Sequence, residues 1–383
     1  MARSHGEGSI HARKRDGKTT GYSGSLRYVD ASGSSKRAWV YGKTRKEVAA
    51  KLKEAAARID GGGPPKDSTR TVADWLAHWR QTTLAASDRK PSTRELYANL
   101  SQKHLESAPF GLISLDRLRP SDVESLVLVL RERGLADSTI RSIYTSLRSA
   151  LDGAVRDGLL ARNPAAAVKR PGIQRKEAKH LEPADVARLL AELEDHRYYP
   201  AVKLIAYTGL RRGECLALRW ADVDLDGGTL RVSATLNRVS RSLTSSEPKT
   251  AKSRRVLPLP ADLVALLRKN KTAQKREKLA AVNQWQDTGL VFTTPLGNPV
   301  DPRNFLRVVQ NAAAKIGLED VDIHTLRHSV ATAWMAAGEP IKVVADLLGH
   351  SSISITGDLY QHACDDTARA AVERLSGVFT KGS

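Results

Sequence analysis

Cysteine is scarce in this chain: Cys215 and Cys364 are the only two in 383 residues. They form no metal-ligand spacing and no disulfide framework, which excludes a cysteine-built zinc module and a stapled secreted scaffold. Both fall in stretches of helical periodicity, so buried thiols in a reducing cytoplasm are expected. Long apolar runs are also missing, and with them any candidate for a bilayer-crossing segment. The opening "MARSHGEGSIHARKRDGK" lacks a signal-peptide core, so a cytoplasmic protein without a membrane partner is expected. Acidic residues are in deficit. Against 61 Lys and Arg stand 42 Asp and Glu, a formal charge of +19. An excess of that size points to a polyanion, with nucleic acid preferred over an anionic membrane surface. A generally basic surface is the blander alternative. There is no internal repeat and no long low-complexity tract.

What is present divides into three parts. "IHARKRDGKTTGYSGSLRYV" reads as two strands joined at Asp16-Gly17, and "KRAWVY" as a third. "TRKEVAAKLKEAAARID" then reads as a helix, with Thr44 and Glu47 in capping-box spacing and an apolar face of Val48, Leu52 and Ala55 or Ala56. The linker "GGGPPKDSTR" closes this part. From Thr71 to Val168 the pattern is helical. Val72, Trp75, Leu76 and Trp79 form one stripe; Ile140, Ile143, Leu147, Leu151 and Ala154 form another. "PSTRELYANLSQKHL" opens at Pro91 with Ser92 or Thr93 as candidate caps, and a further helix runs from Pro120 to Gly134. Four helices on short connections predict a compact bundle. After the basic linker "KRPGIQRKEAKH" comes the largest part, mainly helical, with a β interlude from "DLDGGTLRVSATL" to "SRRVLPLP".

Three islands in that last part carry complementary chemistry. In "TGLRRGECLALRW", Thr208-Gly209 breaks one helix and starts another. Arg211 lies near the new N-terminus, and Glu214 is spaced to hold its guanidinium; an ordinary solvated Arg-Arg pair is the alternative. In "PKTAKSRRVLPLP", Lys249 and Lys252 precede a strand, either reaching for a ligand or forming a plain charged loop. In "HTLRH", His324 and His328 share a helical face at i and i+4. A zinc protease needs Glu after the first His, and Thr325 stands there; no third ligand sits at a sensible spacing, so no metal is expected. His324 and Arg327 instead suit a phosphate, since a guanidinium offers a planar fork of donors and an imidazole one more. His328 reads as a packed helix histidine. Downstream, Val343, Val344, Leu347 and Leu348 make an apolar stripe ended by Gly349, His350 follows, and Tyr360 comes ten residues later. A phenol titrates near pH 10 and is a poor nucleophile until a charged cluster assists it; core packing is its bland reading.

The order "TGLRRGE", "PKT", "HTLRH", "LGH", "GDLYQH" resembles the tyrosine recombinases, the phage-type integrase family of site-specific DNA recombinases. The resemblance implies a mainly α fold with small β elements in three domains. These are a three-stranded sheet plus helix over 1–62 that binds arm sites, an all-α bundle over 69–168 that binds core sites, and a mixed α/β catalytic domain over 178–383. It implies that Tyr360 attacks a phosphodiester to give a 3′-phosphotyrosyl bond. Arg211 and Arg327 would clamp the non-bridging oxygens, and His324 and His350 would hydrogen-bond the phosphate. Lys249, with Lys252 as competitor, would protonate the leaving oxygen. Neither metal nor ATP nor any other cofactor is implied. Implied partners are double-stranded DNA at core and arm attachment sites, a homo-tetramer on DNA, and excision or DNA-bending accessory proteins. The biological role would be integration, and excision, of a phage or mobile element. The tail "QHACDDTARAAVERLSGVFTKGS" carries Ala368, Val372 and Leu375 on one edge, for docking on a neighbouring protomer or packing within its own chain. One departure is Glu182-Pro183 at the catalytic opening, where Ser or Thr is common. A type IB topoisomerase, a chromosome-dimer resolvase and a non-catalytic DNA-binding regulator are the rival readings.

Overall fold

The computed structural model describes residues 8–15, 18–29, 35–60, 70–173, 179–239, 242–246, 254–350 and 352. The chain divides into two compact units, Met1–Arg175 and Lys176–Ser383.

The first unit holds two separate apolar clusters. At its front, β1 (Ser9–Arg15), β2 (Lys18–Val29) and β3 (Ser35–Gly42) form an antiparallel sheet in sequence order. Arg15 pairs with Lys18, so two residues, Asp16 and Gly17, make the connection; they lie outside the described residues. The helix α1 (Arg45–Asp60) covers one face through Val48 and Leu52, which pack on Leu26. A side chain at Gly24 would meet Leu52 Cδ1 at 2.6 Å, so glycine sets how closely helix and sheet approach. At the helix start the Glu47 amide donates to Thr44 Oγ1 (3.1 Å), while the Glu47 carboxylate accepts from Lys43 N–H (2.9 Å). The expected capping box is thus shifted by one residue on its return arm.

The opposite face of the sheet is open. Cross-strand register puts His11, Ser23 and Tyr41 in one row, with Ser25 beside Trp39 and Arg13 beside Gly21. Because the middle strand is small-residued there, Arg13 reaches across it and stacks over Tyr41 at 5.3 Å; Arg37 lies over Trp39 at 6.0 Å.

Behind the sheet in sequence, α2 (Val72–Gln81), α3 (Pro91–Leu100), α4 (Pro120–Glu132) and α5 (Asp137–Arg156) form the predicted helical region. Both apolar stripes are buried as expected. Polar groups in the interior are satisfied: Trp75 Nε1 donates to Ala150 O (2.9 Å) and the Tyr144 hydroxyl to Ala165 O (2.7 Å). One cap differs from expectation. Pro91 is the first helical residue of α3 and Lys90 its cap, so Ser92 and Thr93 fall inside the first turn and cap nothing. Proline suits that place because its missing N–H has no intrahelical partner anyway.

The second unit opens with α6 (Pro183–Glu192), α7 (Tyr199–Thr208) and α8 (Arg212–Leu216). The β interlude follows: β4 (Val223–Asp224), β5 (Thr229–Val232), β6 (Thr235–Val239), β7 (Ser242–Ser246) and β8 (Arg255–Pro258). β4, β5 and β8 form one antiparallel sheet, and β6 and β7 a separate hairpin. The Asp226-Gly227-Gly228 turn is built as its chemistry predicts. Asp224 Oδ1 accepts from the Asp226 and Gly227 amides, and Gly228 takes φ +59°. Then come α9 (Ala261–Ala281), α10 (Pro302–Lys315), α11 (Ile323–Ala336) and α12 (Ile341–Leu348). α7 and α11 pack together in the core, which brings the "TGLR" and "HTLRH" segments side by side. On α12 the buried edge is Val344, Ala345 and Leu348, while Val343 is 42% exposed, so Val343 leaves the expected stripe and Ala345 enters it. Among the described residues no helix is long and apolar enough to cross a membrane.

Candidate active site

Two glycines organise the site. Gly209 ends α7 with φ +62°, and Gly349 ends α12 with φ +66°, both in the left-handed region that side chains resist. Each also admits a neighbour: a Cβ on Gly209 would stand 2.5 Å from Leu348 Cδ2, and one on Gly349 would stand 2.7 Å from Arg255 Nη1. At the second turn the Gly349 N–H returns to Asp346 O and the His350 N–H to Ala345 O, the paired bonds of a Schellman ending. The turn therefore has a fixed shape, and His350 leaves it in a fixed direction.

The last carbonyls of a helix lack intrahelical donors and carry the negative end of its dipole. Here three successive ones each take a different arginine. Arg255 Nε donates to Leu347 O (2.6 Å), Arg327 Nη2 to Leu348 O (2.7 Å) and Arg211 Nη2 to Gly349 O (3.0 Å). Arg327 Nη1 also donates to Gly209 O, which crosslinks the two glycine turns. Glu214 completes the cluster. Its Oε1 accepts from Arg211 Nη1 (2.8 Å), and its Oε2 from the Arg211 amide (3.0 Å) and Arg255 Nη2 (3.0 Å). The Arg211–Glu214 pairing is the one expected from their spacing.

The electrostatics follow from burial. Glu214 is 5% exposed. Burial pushes its carboxyl up, but the charges of Arg255 and then Arg211 prevail and hold it below the usual carboxylate range. Arg327 is 4% exposed. Burial first, then the neighbouring Arg211 and Arg255 charges, pull its guanidinium down to about 9, against the opposing pull of Glu214. Among the described residues three guanidiniums thus share the charge of one carboxylate, and the surplus favours an anion. His350 is buried, and burial followed by Arg327, Arg211, His328 and Arg255 lowers it to about 4. His324 lies more open, at the edge of the cluster. Crowding by protein still lowers its pKa ahead of the Arg327, Arg212 and Arg211 charges, while Asp322 pulls the other way. His328 is lowered too, by burial first and then by His324 and Arg327. At neutral pH these imidazoles are uncharged, and a neutral ring offers one donor and one acceptor nitrogen.

Four of the six expected site residues, Arg211, His324, Arg327 and His350, come together here. Lys249 and Tyr360 lie outside the described residues, as do Lys252, Cys364 and the C-terminal tail. His324 and Arg327 do not stand at equal depth: Arg327 is buried behind the carbonyls, and His324 faces outward. Arg255 is the member that sequence reasoning missed. Its signal was the strand period. Val256 is 56% exposed and Leu257 is buried, so Arg255 shares the inward side with Leu257. Cys215 is a buried thiol, as expected, and burial pushes its pKa up. Among the described residues no group of three or more His, Cys, Asp or Glu is arranged to hold a metal ion. A cleft of about 420 Å³ beside α7 and α9, lined by His196, Arg197, Tyr198 and Glu277, shares no residue with the arginine cluster.

A cluster of fixed cations with two neutral imidazoles can bind a phosphodiester and stabilise charge that spreads onto its oxygens. Residues 179–366 match the model of the phage integrase family. The tyrosine recombinase XerC-like protein of Caldanaerobacter subterraneus subsp. tengcongensis is 30% identical over 368 residues, spanning 91% of this chain and 94% of that protein. An integrase of Saccharopolyspora erythraea is 25% identical over 96% of this chain and 98% of its own. The lambda integrase tetramer bound to a Holliday junction shares the fold, with a TM-score of 0.58 at 18% identity over 91% of this chain and 94% of that one. The chain belongs to the phage integrase family of tyrosine recombinases, enzymes that recombine DNA at specific sites.

Proposed function

We propose that this protein is the integrase of a phage or mobile element, and that it cuts and rejoins DNA through a 3′-phosphotyrosyl intermediate. The Tyr360 hydroxyl attacks the scissile phosphorus, the bond to the 5′ oxygen breaks, and the partner strand's 5′-hydroxyl later reverses the step. The observation that carries this reading is the capping of three consecutive carbonyls, Leu347 to Gly349, at the end of α12 by Arg255, Arg327 and Arg211. It gathers cationic donors from three remote segments beside His350, and two of them, Arg211 and Arg327, stand in the family motifs.

The roles are those that the family resemblance implies, and geometry and charge support those of Arg211, His324, Arg327 and His350. A guanidinium has five N–H donors. Arg211 and Arg327 are the clamping arginines that the resemblance implies; each spends two donors in the hydrogen bonds given above, and Arg211, with 35% of its side chain exposed, is the more open of the two. Preplaced donors stabilise the transition state more than the ground state, and losing one typically costs about 10²–10³ in rate. His324, neutral and outward-facing, accepts the tyrosine proton; His350 donates to a phosphate oxygen. Lys249 protonates the leaving 5′ oxygen. The phosphotyrosine conserves the ester bond energy, so rejoining needs no ATP, and the fixed guanidiniums supply the charge stabilisation that a metal supplies elsewhere.

Residues 1–62, 69–168 and 178–383 act in this reading as arm-site, core-site and catalytic domains. The open face of the front sheet, with Arg13 on Tyr41 and Arg37 on Trp39, supports a β reader lying in a DNA groove. The family's lambda member was seen as a tetramer on a Holliday junction, which supports a working tetramer here. A cytoplasmic location follows from the DNA substrate.

The test begins with a library of nicked duplexes. Covalently captured sequences are recovered and placed on two plasmids. Exchange of strands between the plasmids is expected. Relaxation of a single supercoiled plasmid without exchange would overturn the integrase reading in favour of a type IB topoisomerase activity.

A further inference from the structure

We infer that Arg255 is a positioning residue for strand cleavage: it locks the turn that carries His350 to the carboxylate that holds Arg211. The inference rests on the phosphotyrosyl reading above. Arg255 stands at the first position of β8, and its side chain is 7% exposed. Its fork is turned toward protein. Nε meets Leu347 O at 2.6 Å and Nη2 meets Glu214 Oε2 at 3.0 Å. Nη1 would stand 2.7 Å from a Cβ on Gly349, so the guanidinium lies against the residue preceding His350. Arg211 differs: it keeps 35% of its side chain exposed and so has an open side for a ligand.

These bonds close a ring. Arg255 joins the end of α12 to Glu214, Glu214 joins Arg211, and Arg211 returns to Gly349 O. Two phosphate-facing groups, Arg211 and His350, are thereby held from opposite ends by one side chain that touches neither the phosphate nor the leaving group. Without Arg255 the carboxylate keeps only Arg211, and the α12 turn keeps two of its three arginine anchors. Both phosphate-facing groups then gain freedom, and a displacement near 1 Å typically costs about 10²-fold in rate. Lysine is a poor replacement, because one ammonium lacks the planar fork that spans a carbonyl and a carboxylate together.

Arg255→Met and Arg255→Lys are compared with Arg211→Ala in the full-length protein, using a nicked duplex recovered by covalent capture. Urea unfolding establishes which variants are folded at the assay temperature. Single-turnover adduct formation at saturating DNA, its pH profile and DNA affinity are then measured. The expected result is a rate lower by about 10²-fold in each folded Arg255 variant, with DNA affinity unchanged. The acid limb of the pH profile moves, because His350 has lost its fixed place. Arg255→Met is the more drastic change; where it does not fold, Arg255→Lys decides. A folded Arg255 variant that forms adduct at the wild-type rate, while Arg211→Ala is slow, overturns the inference alone. Wild-type adduct formation by Arg211→Ala overturns the reading of the site, and the inference with it.

Discussion

Replacing Glu214 by glutamine removes one charge and almost no volume, and it isolates what the carboxylate does. In the native cluster Glu214 faces Arg211 and Arg255 directly and offsets part of the charge on Arg327. The amide of Glu214→Gln keeps one acceptor oxygen but turns an NH2 group toward a guanidinium. Three arginines, two of them almost wholly buried, would then repel with no carboxylate between them among the described residues. Breaking a buried pair from one side costs about 3–5 kcal/mol, and the retained acceptor places this change near about 3 kcal/mol. With a urea slope of about 2 kcal/mol per molar, the midpoint should fall by about 1.5 M. The assay is a urea titration read by hydrogen exchange in peptides covering α8 and α12, which reports on this unit and not on the helical bundle. Inorganic sulfate should raise the midpoint of Glu214→Gln more than that of the wild type, because the anion replaces the missing charge. A midpoint shift below about 0.3 M, with no added response to sulfate, would refute the electrostatic account of the cluster.

Further outcomes follow from the same geometry. Gly349→Ala forces a side chain into a left-handed residue, at about 1–2 kcal/mol, and also drives its Cβ onto Arg255. Gly134→Ala, at φ +72° with no atom within 4 Å, carries only the backbone cost, so Gly349→Ala should lower the urea midpoint of its own unit by more; equal losses would contradict the packing argument. Acid should weaken the second unit. The folded pKa of His350, about 4, lies below the unfolded value of about 6.5, so the unfolded chain binds the proton first. Stability is intact above about pH 6.5 and declines toward pH 4, His324 and His328 acting in the same direction. His350→Gln should flatten that decline in urea midpoints measured between pH 7.5 and pH 5, and an unchanged slope would remove His350 from the explanation. A substrate whose 5′ leaving oxygen is replaced by sulfur should restore cleavage to Lys249→Ala and not to a catalytic-cluster variant such as Arg211→Ala. Rescue of Lys252→Ala instead would move the acid role to Lys252.

Much of the site was legible because its chemistry is local in sequence. Gly209 ends one helix and Arg211 precedes the next, and Glu214 is three residues away, so their pairing could be read from spacing. Both apolar stripes of the helical bundle were readable for the same reason: periodicity records which face is buried. The arginine-capped end of α12 was not readable. Its three donors come from positions 211, 255 and 327, and no pattern within one window joins them to carbonyls 347–349. Nothing in "SRRVLPLP" sets Arg255 apart from Arg254 until the strand period places it on the side of Leu257, with Val256 outward. Val343 was misplaced because an eight-residue helix leaves its apolar edge uncertain by one position, and the burial of Ala345 shows where the edge runs. Ser92 and Thr93 failed as caps because Pro91 had already taken the first helical place.

The central claim is that an aromatic hydroxyl, Tyr360, is delivered to a phosphate held by Arg211, Arg327, His324 and His350. Its most direct measurement is mass mapping of the protein–DNA adduct trapped on a nicked duplex. The account predicts a 3′-phosphotyrosyl link on the peptide bearing Tyr360 and no adduct from Tyr360→Phe, which should still bind the same DNA. An adduct on any other residue, or one that persists in Tyr360→Phe, would contradict it.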